Sequence, residues 1–186
     1  LVEKGKRELP ENYFLFVGNQ KKHKNLRGVL KSFGTFLNKT RADVHLVTVG
    51  TGEGLRRVED MKTLEKEFPQ LSERVISLGH VEEKELPLLY SGAVGLVFPS
   101  FYEGFGLPPL EGMACGCPAI VSRIPSLEEV CGDGACYVDP YDTDSIAHGM
   151  KLVYDDPDLR RTLIEKGQEQ VKKYSWKRAA EKHWEL

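Results

Sequence analysis

Residues 93–122, AVGLVFPSFYEGFGLPPLEGMACGCPAIVS, hold two short apolar runs separated by a glycine- and proline-rich loop and a helix-length segment. Both runs, AVGLVFPS (93–100) and PAIVS (118–122), are continuous rather than alternating, as in strands buried on both faces. Pro108 and Pro109 do not suit a helix interior, but proline is favoured at the first helical position. A helix is therefore expected from about Pro109, with Glu111 in its first turn and Glu103 left in the loop.

Outward from this unit the same pattern repeats. YFLFVG (13–18), VHLVTVG (44–50), RVISLG (74–79) and ACYVD (135–139) are further continuous apolar runs. Helix-period segments lie between them, such as NLRGVLKSFGTFL, with Leu26, Val29, Leu30, Phe33 and Leu37 on one stripe. Alternating strands and helices at this spacing predict an α/β fold, a doubly wound six-stranded parallel sheet with right-handed crossovers and helices on both faces. Two helices close the chain. Asp156 and Pro157 read as the N-cap and first residue of one that runs to about Lys173, and Ser175 caps a last one carrying Trp176, Ala180 and Trp184.

The chain has 186 residues, 40% of them apolar, and a formal charge of -2. That is enough for one well-buried core, so a single domain is expected. The near-neutral balance excludes the broad positive field of nucleic-acid binders, so any phosphate must be held locally. No apolar run approaches the roughly 20 residues that span a bilayer, and nothing at the start reads as a signal peptide, so the chain reads as cytosolic. Cys115, Cys117, Cys131 and Cys136 form no CxxC pair and have no histidine at ligand spacing, which makes them small buried thiols rather than zinc ligands. The opening LVEKGKRELPEN lacks a methionine and reads as a linker cut from a longer protein.

In open sheets of this kind ligands lie beyond the carboxyl ends of the strands. The first such loop, Gly18 to Asn25 (GNQKKHKN), leads into a helix whose start, with Lys24 beside it, suits a phosphate. A solvated basic face is the alternative. The second loop, Gly50-Thr51-Gly52-Glu53-Gly54, has neither the spacing nor the strand of a dinucleotide fingerprint. Its glycines serve a tight turn or a close ligand approach.

Glu103 lies in the fourth such loop, SFYEGFGLPP, and Glu111 in the helix that follows it. As a glycosidase pair they would have to be about 5 Å or about 6.5 to 9.5 Å apart, whereas eight helical steps span roughly 12 Å; hydrolysis is disfavoured. Structural readings also exist, a dipole complement for Glu111 and an exposed loop acid for Glu103. A different division of labour fits better. Backbone N–H groups around Gly104 and Gly106 cradle an anion, and the carboxylates accept from diols on either side. A sugar nucleotide has that outline.

These residues resemble the retaining, GT-B fold glycosyltransferases of family four, also called group one. EGFGLPPLE is similar to that family's E-x7-E motif. VGNQKKHKN, VTVGTGEG, LGHVEEKELPLLYSGAVGLVFPS, ACGCPAIVS, IPSLEEVCGDGACYVDPYD and YSW are similar to its landmarks in order, from about Tyr13 to Trp176. The resemblance implies a Rossmann-like donor-binding domain over 13–174, preceded by an interdomain linker over 1–12. It also implies a terminal helix over 175–186 that packs toward an amino-terminal domain, leaving Trp184 exposed here. Membrane contact, if any, would be made by that other half.

By the same resemblance, Glu111 would bind the ribose diol and Glu103 the hydroxyls of the transferred sugar. The N–H groups of Gly104, Phe105, Gly106 and Leu107 would meet sugar hydroxyls and diphosphate oxygens. Lys24, beside Gly18 and Asn19, would neutralise the leaving diphosphate, and the backbone at Val81 would touch the base. One departure stands out: Asn19 occupies a place where the family usually has an arginine, so a charged fork is replaced by a neutral amide. Neither a metal nor another cofactor is implied, since Asp142-Thr143-Asp144 lies after the last strand at a helix cap. His80, beside Val81, is the histidine nearest the expected site. The expected activity is hexosyl transfer from a nucleoside diphosphate sugar, with GDP-mannose preferred, to a carbohydrate or lipid-linked acceptor. A non-catalytic sugar-nucleotide binding domain and a sugar-nucleotide epimerase remain the alternatives.

Overall fold

A computed structural model describes residues 9–19, 21–50 and 61–184. Its strands are β1 (Tyr13–Val17), β2 (His45–Val49), β3 (Val75–Gly79), β4 (Gly95–Phe98), β5 (Ala119–Ser122) and β6 (Ala135–Val138). The helices are α1 (Leu26–Thr40), α2 (Met61–Glu67), α3 (Leu71–Arg74), α4 (Leu86–Gly92), α5 (Leu107–Ala114), α6 (Pro125–Cys131), α7 (Thr143–Asp155), α8 (Pro157–Val171) and α9 (Trp176–Trp184). All pairings are parallel and the sheet order is β3-β2-β1-β4-β5-β6. Each of the six expected strands is present, and the doubly wound reading holds. The order reverses between β1 and β4, so the loops leaving these two strands diverge and open a crevice at the sheet's carboxyl edge.

Side-chain alternation along the central strands builds two core layers. Phe14 and Phe16 face one way, into a layer with Val29, Leu30, Phe33 and Phe36 of α1 and Met150 and Val153 of α7. Tyr13 and Leu15 face the other, toward Tyr90 of α4, Met113 of α5 and Leu127 of α6. The whole predicted stripe of α1 is buried. Phe36 joins it, meeting the Phe14 ring edge-on at 5.6 Å between centroids. Burying each such aromatic contributes about 1.5–3 kcal/mol, which is what sets the helix on the sheet. α8 opens as expected, with the Asp156 carboxylate accepting from the Leu159 N–H at 2.8 Å. Ser175 Oγ accepts from the Arg178 N–H at the start of α9.

One expectation is corrected. α5 begins at Leu107, two residues earlier than expected, with Gly106 as its N-cap. Pro108 and Pro109 are then its second and third residues, which costs no hydrogen bond because N–H groups of a first turn have no intrahelical acceptor. The first bond of the helix runs from the Leu110 N–H to the Gly106 carbonyl, at 3.5 Å. Glu111 consequently stands in the second turn, where the dipole argument for an acid has faded. Gly106 is required here: its φ is +107°, and a Cβ on it would lie 2.4 Å from Leu127 Cδ2 of α6.

Candidate functional site

Three backbone ties gather the strand ends. The Gly18 N–H donates to Val49 O at 2.9 Å and the Gly50 N–H to Gly79 O at 2.8 Å, locking the exits of β1, β2 and β3 together. A Cβ on Gly50 would fall 1.8 Å from the Gly18 carbonyl oxygen, so this glycine permits the approach of two backbones. Thr51, Gly52, Glu53 and Gly54 of that loop lie outside the described residues. On the other side, the Phe101 N–H donates to His23 O at 2.8 Å, joining the loop after β1 to the loop after β4.

Asn25 is the centre of that junction. It takes the left-handed conformation (φ 58°) between the 3-10 turn Lys22–Lys24 and α1. Its Oδ1 accepts from the Gly28 N–H, while Nδ2 donates to Pro99 O at 3.0 Å and to Pro140 O at 2.8 Å. The side chain is buried, and all its polar atoms are used. A single amide thus clamps the loops after β1, β4 and β6.

The clamp sets Lys24 beside Glu103. Lys24 Nζ and Glu103 Oε1 are 2.6 Å apart, with the two side chains only 14% and 10% exposed. The ammonium also sits 4.9 Å from the Phe98 ring centroid, a cation–π contact that helps hold it there. Gly18 stands against the lysine stem, since a Cβ on it would be 3.7 Å from Lys24 Cδ. Lys21 and Lys22 are exposed instead. Asn19 turns its Oδ1 to the Lys21 N–H at 3.3 Å and so closes a local turn.

Four residues past Glu103 the chain enters α5. Among the described residues, none accepts a hydrogen bond from the backbone N–H of Gly104, Phe105, Gly106 or Leu107. These donors stand at the positive end of α5, next to the Lys24–Glu103 pair, an arrangement suited to anionic and hydroxylic oxygens. Glu111 projects from the following turn and is exposed. Its Oε2 accepts from the Tyr90 hydroxyl at 2.9 Å. Burial foremost, with the Glu111 charge beside it, holds the Tyr90 phenol far above its ordinary pKa, so it remains a donor. Burial and the same carboxylate raise the Cys115 thiol.

Along Glu111 runs an apolar groove of about 280 Å³, lined by Phe105, Leu107, Leu110, Val171, Tyr174 and Trp176. Val81 is half-buried in the loop after β3, where it packs on the second core layer; His80 beside it is exposed. The structure therefore brings Lys24, Gly18, Glu103 and the Gly104–Leu107 N–H groups together, with Glu111 one helical turn further and Val81 across the strand ends. Asp142 caps α7, its carboxylate accepting from the Asp144 N–H at 2.8 Å, as expected. Among the described residues no group of three or more His, Cys, Asp or Glu is placed to hold a metal. A larger cleft, about 690 Å³, lies along α8 near Gly132 and Asp133, at the amino edge of β6 and away from these loops.

Asn25 and Tyr90 were not legible as site residues. An asparagine before an apolar stripe reads as an ordinary helix cap, which it also is, and Tyr90 reads as one more core aromatic of α4. Their partners are remote: 74 and 115 residues for the Asn25 amide, 21 for the Tyr90 hydroxyl.

A family model described as "Glycosyl transferases group 1" matches residues 2–170. The O-antigen chain mannosyltransferase B of Escherichia coli is 38% identical over 173 residues, covering 89% of this chain and 43% of that protein. The O-antigen chain mannosyltransferase RfbU of Salmonella typhimurium is 38% identical over 150 residues, covering 80% and 40%. The chain thus spans about two fifths of the length of these relatives. Among solved structures, sucrose-phosphate synthase from Thermosynechococcus elongatus superposes with a TM-score of 0.80 at 28% identity, covering 96% of this chain and 45% of that one. The C-terminal domain of a glycosyl transferase group 1 family protein from Francisella tularensis gives 0.73 at 26% identity, covering 87% and 85%.

Proposed function

The chain belongs to the glycosyl transferases group 1 family, and on that premise we propose that it is the donor-binding half of a retaining hexosyltransferase that uses a nucleoside diphosphate sugar. The observation that carries the reading is the Lys24–Glu103 pair beside N–H groups at the start of α5 that have no acceptor among the described residues. Transfer breaks the bond from the anomeric carbon to the β-phosphate oxygen and joins that carbon to an acceptor hydroxyl oxygen, whose proton passes to the departing diphosphate. The nucleoside diphosphate departs with the bonding electron pair. Negative charge grows on it as the bond breaks, and fixed N–H donors and an ammonium at that position lower the barrier. Lys24 is paired with Glu103. An entering diphosphate takes the lysine, and the released carboxylate accepts from sugar hydroxyls; Glu111 takes the ribose diol, and the backbone at Val81 meets the base.

GDP-mannose is the preferred donor, supported by the mannosyltransferase relatives. An amino-terminal domain that supplies most of the acceptor site is the expected partner. Its support is the greater length of the relatives and the exposure of Trp176 and Trp184 on α9, at 82% and 87%. In this reading residues 13–174 form the donor domain and 175–186 reach toward the partner domain. No helix among the described residues is long and apolar enough to cross a membrane.

One observation favours a binding domain without turnover: Asn19 is occupied in its own turn while Lys21 and Lys22 are exposed, so the charged fork is not rebuilt. Product formation by the whole protein, scored by mass across a panel of sugar nucleotides, separates the two. For the domain alone, calorimetry with GDP and UDP is decisive for the ribose role. Glu111→Ala should weaken both by about 10- to 100-fold, the range expected for hydrogen bonds to a charged acceptor; equal affinities remove it.

A further inference from the structure

α4 and α5 lie against each other in the second core layer, so closely that a Cβ on Gly112 would be 3.4 Å from Tyr90 Cδ1. Tyr90 is 1% exposed, and its hydroxyl donates to Glu111 Oε2 at 2.9 Å. Glu111 itself is an exposed residue on the helix surface. A glutamate in that setting samples several rotamers and must lose that freedom when it meets a ligand.

We propose that Tyr90 is a positioning residue for donor binding: it pins one carboxylate oxygen of Glu111 so that Oε1 is held ready for a ligand diol. The inference rests on the ribose role of Glu111 given above. The ring is wedged in the core between α4 and α5, so its hydroxyl is a fixed point, and the carboxylate inherits that fixity. The hydroxyl also stays protonated across the working pH range, because burial and the neighbouring acid both oppose its ionisation. A competing account has the direction reversed, with Glu111 serving only to satisfy a phenol that would otherwise be unpaired. The two accounts differ in what ligand binding feels.

The test titrates this chain with GDP, UDP and inorganic pyrophosphate in four forms: unaltered, Tyr90→Phe, Glu111→Ala and the double variant. Tyr90→Phe keeps the ring in the core and removes only the hydroxyl. It should weaken GDP and UDP by about five- to twentyfold, from the lost pre-ordering of one long side chain. Pyrophosphate affinity should not move, and the substitution should have no further effect once Glu111 is alanine. Unchanged nucleotide affinity in Tyr90→Phe, with a loss in Glu111→Ala, overturns the positioning role and leaves the ribose reading standing. An equal loss for pyrophosphate, or the same loss in the Glu111→Ala background, identifies a structural effect and also overturns it. Unchanged affinity in Glu111→Ala removes the ribose reading and this inference together.

Discussion

Lys24 and Glu103 are only 2.6 Å apart in a nearly closed environment, which makes each the other's condition for burial. Lys24→Met leaves a carboxylate enclosed without a counter-charge. It should lower stability by about 2–3 kcal/mol, somewhat less than removal of one partner from a fully buried pair. The urea midpoint measures this, and Glu103→Gln in the same chain should restore most of the loss. If the double variant is as unstable as the single one, the pair does not hold Glu103 in place. Asn25→Ala removes a left-handed residue, a helix cap and two long-range bonds at once, and should cost about 3 kcal/mol or more. Both Lys24 and Glu103 were visible in the sequence as letters of plausible type, the lysine near a helix start and the acid in a loop. Their contact was not, because nothing in either segment encodes the distance to the other.

At the scale of elements, the start of α5 controls where the site's donors stand. Two prolines suggested a later start, since they are usually met one at a time at a first helical position; the first turn accommodates both because it asks for no N–H. Gly106 then carries the geometry. Its positive φ and its contact with Leu127 leave no room for a side chain. Gly106→Ala should therefore destabilise the chain by more than about 2 kcal/mol, combining backbone strain with displacement of α6. Thermal unfolding checks this, and a midpoint within one degree of the parent would contradict it. Strand positions, by contrast, were legible to within two residues, because continuous apolar runs between turn signals have few other uses in a chain that alternates them with amphipathic segments.

For the molecule as a whole, burial governs both thiol chemistry and the response to acid. Cys117 and Cys131 are fully enclosed and burial pushes both thiols up to about 12. Alkylation at pH 8 followed by mass measurement should leave both unmodified until the chain unfolds. His45, at the head of β2, has its pKa lowered, first by burial and then by Arg74. The unfolded chain then binds the proton more readily than the folded one, so the stability tied to His45 is complete above about pH 6.5 and is lost as the pH falls below it. His45→Gln should flatten the drop in urea midpoint between pH 7.5 and 5.5. The local signals of the sequence determined the order and type of the elements, hence the parallel sheet and the loops at its carboxyl edge, because hydrophobic period and proline placement are properties of neighbouring residues. Only the tertiary structure decided that Lys24 meets Glu103, that Asn25 ties three loops and that Tyr90 holds Glu111. Those partners stand 21 to 115 residues apart, and it is the closing of the sheet, with its reversal between β1 and β4, that makes them neighbours.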